Sequence, residues 1–126
     1  HVLEPLWGYL ELAMALCENP ADFSGGWNFG PGGSDILTVE AIVRHAIRIS
    51  GSGSYRVVSR AGDPHEAGIL SLDNGKAVSQ LGWKPLLTAE EAVTWTLDWY
   101  MALRKDPGGI RATSLGQIEA YINRTS

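Results

Sequence analysis

A single thiol, Cys17, leaves the chain without any internal disulfide, which fits a reducing compartment. There is no excess of positive charge either. Ten Lys and Arg against fourteen Asp and Glu give a formal charge of −4, so the basic footprint that nucleic acid demands is missing. The longest apolar stretch, Leu10 to Cys17, is broken by Glu11 and falls far short of the ~20 residues that cross a bilayer. No basic, apolar, small-residue segment opens the chain. The sequon-like Asn123-Arg124-Thr125 is therefore read as chance, and the cytoplasm is expected.

The familiar catalytic signatures are absent as well. The chain has no P-loop, no G-x-S-x-G elbow and no H-E-x-x-H. Gly30-Pro31-Gly32-Gly33 is rich in glycine, but Pro31 and the spacing spoil it as a dinucleotide-binding turn. His1, His45 and His65 are too widely spaced to make a metal site with the lone Cys17. Cys17 reads as a small core residue on an apolar helix face rather than as a nucleophile, and His45 as a solvent-facing helix residue.

What is present suits one globular domain. Apolar residues make up 44% and charged residues 19% of the 126 positions, near globular averages and enough for a single core. Five Trp are read as core and contact residues.

Helical spacing runs from Pro5 to about Cys17, with Leu6, Tyr9, Leu10, Ala13 and Leu16 on one expected core face. Asn19-Pro20 stops it. Thr38 is placed to cap a second helix with Val39, Ile42, Val43, Ala46 and Ile49 along one side, ended by Gly51-Ser52-Gly53-Ser54. Asp73 is read as the cap of a short helix from about Gly75 to Leu81, with Gly82 at a left-handed exit. Thr88-Ala89-Glu90-Glu91 is a capping box opening a helix to about Lys105. Asp106-Pro107-Gly108-Gly109 breaks that helix, and Ser114 with Gln117 repeats the box spacing before a last helix through about Ile122.

Three short segments read as strands: Gly26 to Gly30, Tyr55 to Ser59, and Ile69 to Leu72. They are too few and too brief for a sheet of their own. The expected fold is thus mostly helical with two to four short strands, α+β when taken alone. It completes something larger. The opening residue, His1 rather than Met, agrees with that expectation.

Between the last two strands lies a loop that concentrates ionisable groups: Arg60, Asp63, His65 and Glu66. Arg presents a planar fork for phosphate, carboxylates accept from ribose or sugar hydroxyls, and His serves either purpose. Loops just past strand ends commonly carry binding groups. A solvated surface turn with weak internal pairing accounts for the same pattern.

Several elements occur in a telling order: His1-Val2-Leu3-Glu4-Pro5-Leu6, Trp27-Asn28-Phe29-Gly30-Pro31, Pro64-His65-Glu66-Ala67, Leu72-Asp73 with Lys76-Ala77, Leu81-Gly82-Trp83-Lys84-Pro85, and Thr96 with Trp99-Tyr100. Together they resemble the carboxy-terminal part of the extended short-chain dehydrogenases that act on nucleotide sugars. The first and third elements point within that superfamily to the dehydratases of CDP-glucose.

The resemblance implies an α/β, Rossmann-type parent that holds NAD and converts CDP-glucose to CDP-4-keto-6-deoxyglucose. It also implies a homodimer or tetramer, with this chain as a single substrate-binding domain over residues 1 to 126. By resemblance, Arg60 and Asp63 touch the diphosphate and ribose, and His65 and Glu66 line the sugar-nucleotide pocket. Asp73 remains a helix cap, Trp83 and Trp99 core, and Asn28 a turn-shaping residue.

The departures matter equally. The family's glycine-rich NAD turn and Tyr-x-x-x-Lys pair belong to an amino-terminal domain, and none of Tyr9, Tyr55, Tyr100 and Tyr121 has Lys four residues on. The chain is therefore expected to carry no hydride chemistry itself. A related nucleotide-sugar epimerase or dehydratase, a stand-alone nucleotide-sugar binding module, and a subunit-contact domain are the rival readings.

Overall fold

A computed structural model describes residues 1–33, 35–58 and 71–125. Helix α1 spans Leu3–Glu18, α2 Pro20–Phe23, α3 Val39–Ser50, α4 Ala89–Lys105 and α5 Ile110–Ile122, with a π-helical turn at Ala77–Leu81 and a 3-10 turn at Pro107–Gly109. α3 packs along α4, α4 against α5, and α1 against both α2 and the π-helical turn.

Local chemistry sets most boundaries. Asn19 leaves helical geometry at φ −144°, ψ 80°, as a residue before proline tends to. Pro20 then starts α2 at a position where its missing N–H is harmless. Thr38 caps α3 by accepting from Ala41 N at 3.1 Å, and Gly51 leaves it at φ 68°. The capping box of α4 is complete: Glu91 N donates to Thr88 Oγ1 at 3.2 Å, and Thr88 N donates to Glu91 Oε2 at 2.9 Å. Asp73 closes the start of the Gly75 turn by accepting from Gly75 N at 2.8 Å, and Gly82 exits at φ 74°.

The expected strands are not borne out. Among the described residues, Gly26 to Gly30, Tyr55 to Val58 and the pair Ser71 and Leu72 contain no strand. Ser59, Ile69 and Leu70, which complete two of the expected segments, lie outside the described residues. The physical reason is pairing. A strand exists only where a backbone ladder joins it to a second segment. Here side-chain amides take the ladder's place. Asn28 Nδ2 donates to Asp73 O at 3.1 Å, and Asn74 Nδ2 donates to Gly30 O at 3.0 Å.

Helix α5 begins earlier than the Ser114 and Gln117 spacing implies. Both residues sit inside the helix and join it to α4. Ser114 Oγ accepts from Trp99 Nε1 at 2.9 Å, and Gln117 Nε2 donates to Trp95 O at 2.8 Å. A partner across the interface has claimed side chains that the local pattern reads as caps.

The core is small. Among apolar described residues only Ala77, Trp83, Leu87 and Tyr121 are buried. They collect where α1, the π-helical turn, the Trp83 connector and α5 meet. Phe29 is wedged there edge-on to both Trp83 and Tyr9. It lies so close over Gly8 that any side chain at that position would overlap its ring.

Helix α1 is turned the opposite way from its apolar periodicity. Leu6, Tyr9, Leu10 and Ala13 are exposed and Leu16 is half-buried, whereas Glu4 and Gly8 are buried. Cys17 shares the outward side and is exposed, so it is not a core residue. The cause is Glu4, whose carboxylate finds its hydrogen-bond donors only on the inside.

Candidate functional site

The four residues singled out for binding, Arg60, Asp63, His65 and Glu66, lie outside the described residues. The structure does describe what flanks them on either side. Before them, the Tyr55 hydroxyl donates to Glu40 Oε1 at 2.7 Å, and Arg44 grips the same oxygen from Nε and Nη2 at 3.0 and 2.8 Å. Arg44 also lies over the Tyr55 ring, 5.5 Å from its centroid. The Tyr55 hydroxyl, then Arg44, hold the Glu40 carboxyl below its ordinary value, and Glu40 raises the Tyr55 phenol in turn. After them, the Asn28 and Asn74 amides tie residues 73 and 74 to the Asn28–Pro31 segment. The described residues on both sides are thus anchored, the first to α3 and the second beside α1. Asn28 does more than shape a turn: its amide reaches across 45 positions.

His45 is buried, not solvent-facing. Its Nε2 donates toward Glu90 O at 3.1 Å and lies 2.9 Å from Thr94 Oγ1, while Arg48 donates to Nδ1. A neutral imidazole has one donor and one acceptor nitrogen, and this arrangement uses both. The residue pins α3 to α4. It lies too deep in that contact for its role to be legible from helical spacing.

Glu4, the acid of the His-Val-Leu-Glu-Pro-Leu element, organises the core. Its Oε1 accepts from Leu86 N at 3.0 Å and Leu87 N at 2.6 Å, and its Oε2 accepts from the Tyr121 hydroxyl at 3.0 Å. Burial, and then the Glu4 carboxylate, push the Tyr121 phenol well above its ordinary value. Sequence reasoning passes over Glu4. The available signal is an acid set among apolar residues in an element quoted for other reasons.

Beside this core, α1, α4 and α5 line a half-open hollow of about 430 Å³, with Leu3, Leu6, Trp99, Tyr100 and Ile118 among its walls. The polar groups there are mostly occupied: Thr96 Oγ1 donates to Ala92 O within α4, and Trp99 Nε1 donates across to Ser114 Oγ on α5. What remains is an apolar hollow. It adjoins the outward side of α1, where Val2, Leu6, Tyr9, Leu10 and Met14 are each roughly half or more exposed. Exposed apolar area of this kind marks a contact surface more often than a reactive one.

Dinucleotide chemistry finds no fit in the described residues. The Gly30–Gly33 turn does not run into a helix, and the first turn of α3 is closed by its own Thr38. No group of His, Cys, Asp and Glu among the described residues is placed to hold a metal ion. No helix among them is long and apolar enough to cross a membrane.

Comparison with known proteins decides the relationship. No protein-family model matches the chain. Over 102 residues, 81% of its length, the sequence is 42% identical to a curated CDP-glucose 4,6-dehydratase of Salmonella typhimurium. The chain is related to the CDP-glucose 4,6-dehydratases. It spans 28% of the length of that dehydratase.

Proposed function

We propose that this chain is the carboxy-terminal, substrate-binding portion of an NAD-dependent CDP-glucose 4,6-dehydratase. The observation that carries the reading is the 42% identity to a protein of that name. In this reading the parent oxidises the sugar at C4, eliminates water across C5 and C6, and returns the hydride to C6, giving CDP-4-keto-6-deoxyglucose. A C4 ketone acidifies the C5 proton, so a modest base suffices for the elimination. NAD belongs to the amino-terminal portion of that parent, and the present chain alone is inactive.

Its own part is to hold the nucleotide sugar. Arg60 takes the diphosphate, Asp63 the ribose, and His65 and Glu66 line the sugar pocket. Anchors on both sides of that segment, Tyr55 on Glu40 and the Asn28–Asn74 pair, support the reading, because binding groups work best on fixed supports. The outward apolar side of α1 supports a parent whose remaining polypeptide packs against it.

Calorimetric titration with CDP, CDP-glucose and NAD tests the proposal. Weak, saturable binding of CDP is expected, independent of NAD. Arg60→Ala is expected to weaken CDP binding while leaving the thermal midpoint in place. Tighter binding of NAD than of CDP would sink the reading.

A further inference from the structure

Of the four asparagines, Asn19, Asn28, Asn74 and Asn123, only Asn74 is followed by glycine. An asparagine in that setting is open to attack from its own main chain. The next residue's amide nitrogen closes on the side-chain carbonyl carbon, and glycine leaves that nitrogen unshielded by any Cβ. Solvent reaches the pair, since Gly75 is exposed and Asn74 half-buried.

In the folded chain both reacting groups are engaged elsewhere. Asn74 Nδ2 donates to Gly30 O at 3.0 Å and lies 3.5 Å from Pro31 O. Gly75 N donates to Asp73 Oδ1 at 2.8 Å. Ring closure requires that nitrogen to shed its proton, and a carboxylate beside it disfavours the anion left behind. It also requires the Asn74 side chain to leave Gly30. The bond from Asn28 Nδ2 to Asp73 O, 3.1 Å long, ties the preceding residue to the same segment. The clamp that anchors this stretch therefore also holds the reaction in check.

The product has a defined effect on the clamp. A carboxylate only accepts, so residue 74 would lose its donor and face carbonyl oxygens at Gly30 and Pro31 that only accept as well. Where isoaspartate forms, the main chain gains a methylene just before Gly75. That displaces Lys76, whose Nζ lies 4.0 Å from the Trp27 ring centroid, and strains the seat of the buried Ala77.

We propose that Asn74-Gly75 is a site of spontaneous deamidation, kept closed by the Asn28–Asn74 clamp and opening that clamp permanently once it reacts. The Gly75 nitrogen gives its proton to a solvent base and bonds to Asn74 Cγ. The Cγ–Nδ2 bond breaks, and ammonia leaves with a proton taken back from water. Water then adds to either carbonyl carbon of the succinimide, giving aspartate or isoaspartate with no change of oxidation state. The proposal rests on no part of the dehydratase reading.

Peptide mapping by mass spectrometry tests it, on the 126-residue chain incubated at mildly alkaline pH, folded and in urea. In urea, replacement of the side-chain –NH2 by –OH is expected at Asn74 ahead of Asn19, Asn28 and Asn123. In the folded chain it should be at least about tenfold slower, because only the opened fraction reacts. Gly75→Ala should slow the reaction in urea, through the added Cβ. Asn28→Ala should speed it in the folded chain by up to about tenfold, the equivalent of one hydrogen bond, and leave the rate in urea alone. Should Asn28→Ala fail to fold, urea concentrations below the unfolding transition replace it, and the rate in the unaltered chain should climb through them. Equal rates folded and unfolded, a folded rate indifferent to both Asn28 and low urea, or another asparagine reacting first in urea would each overturn the proposal.

Discussion

The two sides of α1 obey opposite rules. The inward side carries an acid, a glycine and half-buried Trp7 and Glu11, and it is closed by neighbours. The outward side carries Leu6, Tyr9, Leu10 and Met14, and it is open. A helix ordinarily buries its apolar stripe. Here the buried side is the one on which the Glu4 carboxylate meets its donors, so hydrogen-bond geometry set the rotation of the helix and apolar area was left over for another contact.

The sharpest way to break the comparison is Glu4→Ala. Leu86 N, Leu87 N and the Tyr121 hydroxyl would all lose their acceptor, and bonds to a charged group contribute about 1.5–3 kcal/mol each. Since these share one carboxylate and do not add fully, a loss of about 3 kcal/mol is expected in urea denaturation. An unchanged midpoint would mean that Glu4 does not orient α1.

Next in size is Gly8→Val. Phe29 sits against Gly8 and also meets Trp83 edge-on, so it has little room to yield. Overpacking of this kind costs about 1–3 kcal/mol, measurable by thermal denaturation.

The same contrast predicts an alkaline limb. Tyr121 has its phenol raised in the folded chain, by burial first and the Glu4 carboxylate second. Its contribution is complete below the ordinary value of about 10 and is lost as pH climbs past that value toward the raised one. Tyr121→Phe should flatten the fall in stability above pH ~10, read from midpoints collected across that range.

The smallest effect is expected outside. Leu10→Gln leaves every inward contact alone, and surface changes generally stay within about 0.5 kcal/mol. In a full-length dehydratase of the proposed kind, the same substitution should instead lower the thermal midpoint. Equal effects in both settings would mean that nothing packs on that side.

How much can be read beforehand varies with how local the cause is. The caps at Thr38 and Thr88, the stop at Asn19-Pro20 and the exit at Gly82 depend on neighbours a few residues away, and all are legible. The strands fail because pairing partners are not a property of the segment itself. His45 and Ser114 are misread for a similar reason: Glu90 and Trp99, which claim them, are far along the chain. Of the candidate site, the ionisable cluster Arg60–Glu66 is legible as composition. The Asn28–Asn74 clamp and the Tyr55–Glu40–Arg44 group that flank it are not, since each joins residues distant in sequence.

The amino-acid sequence alone determined where most helices begin and end, and through its ordered motifs it disclosed the relationship to nucleotide-sugar enzymes. Only tertiary structure decided which side of α1 is inside. Periodicity reports that a helix has an apolar side, but a buried carboxylate must face its donors, and those donors, at Leu86, Leu87 and Tyr121, come together only when the chain is folded.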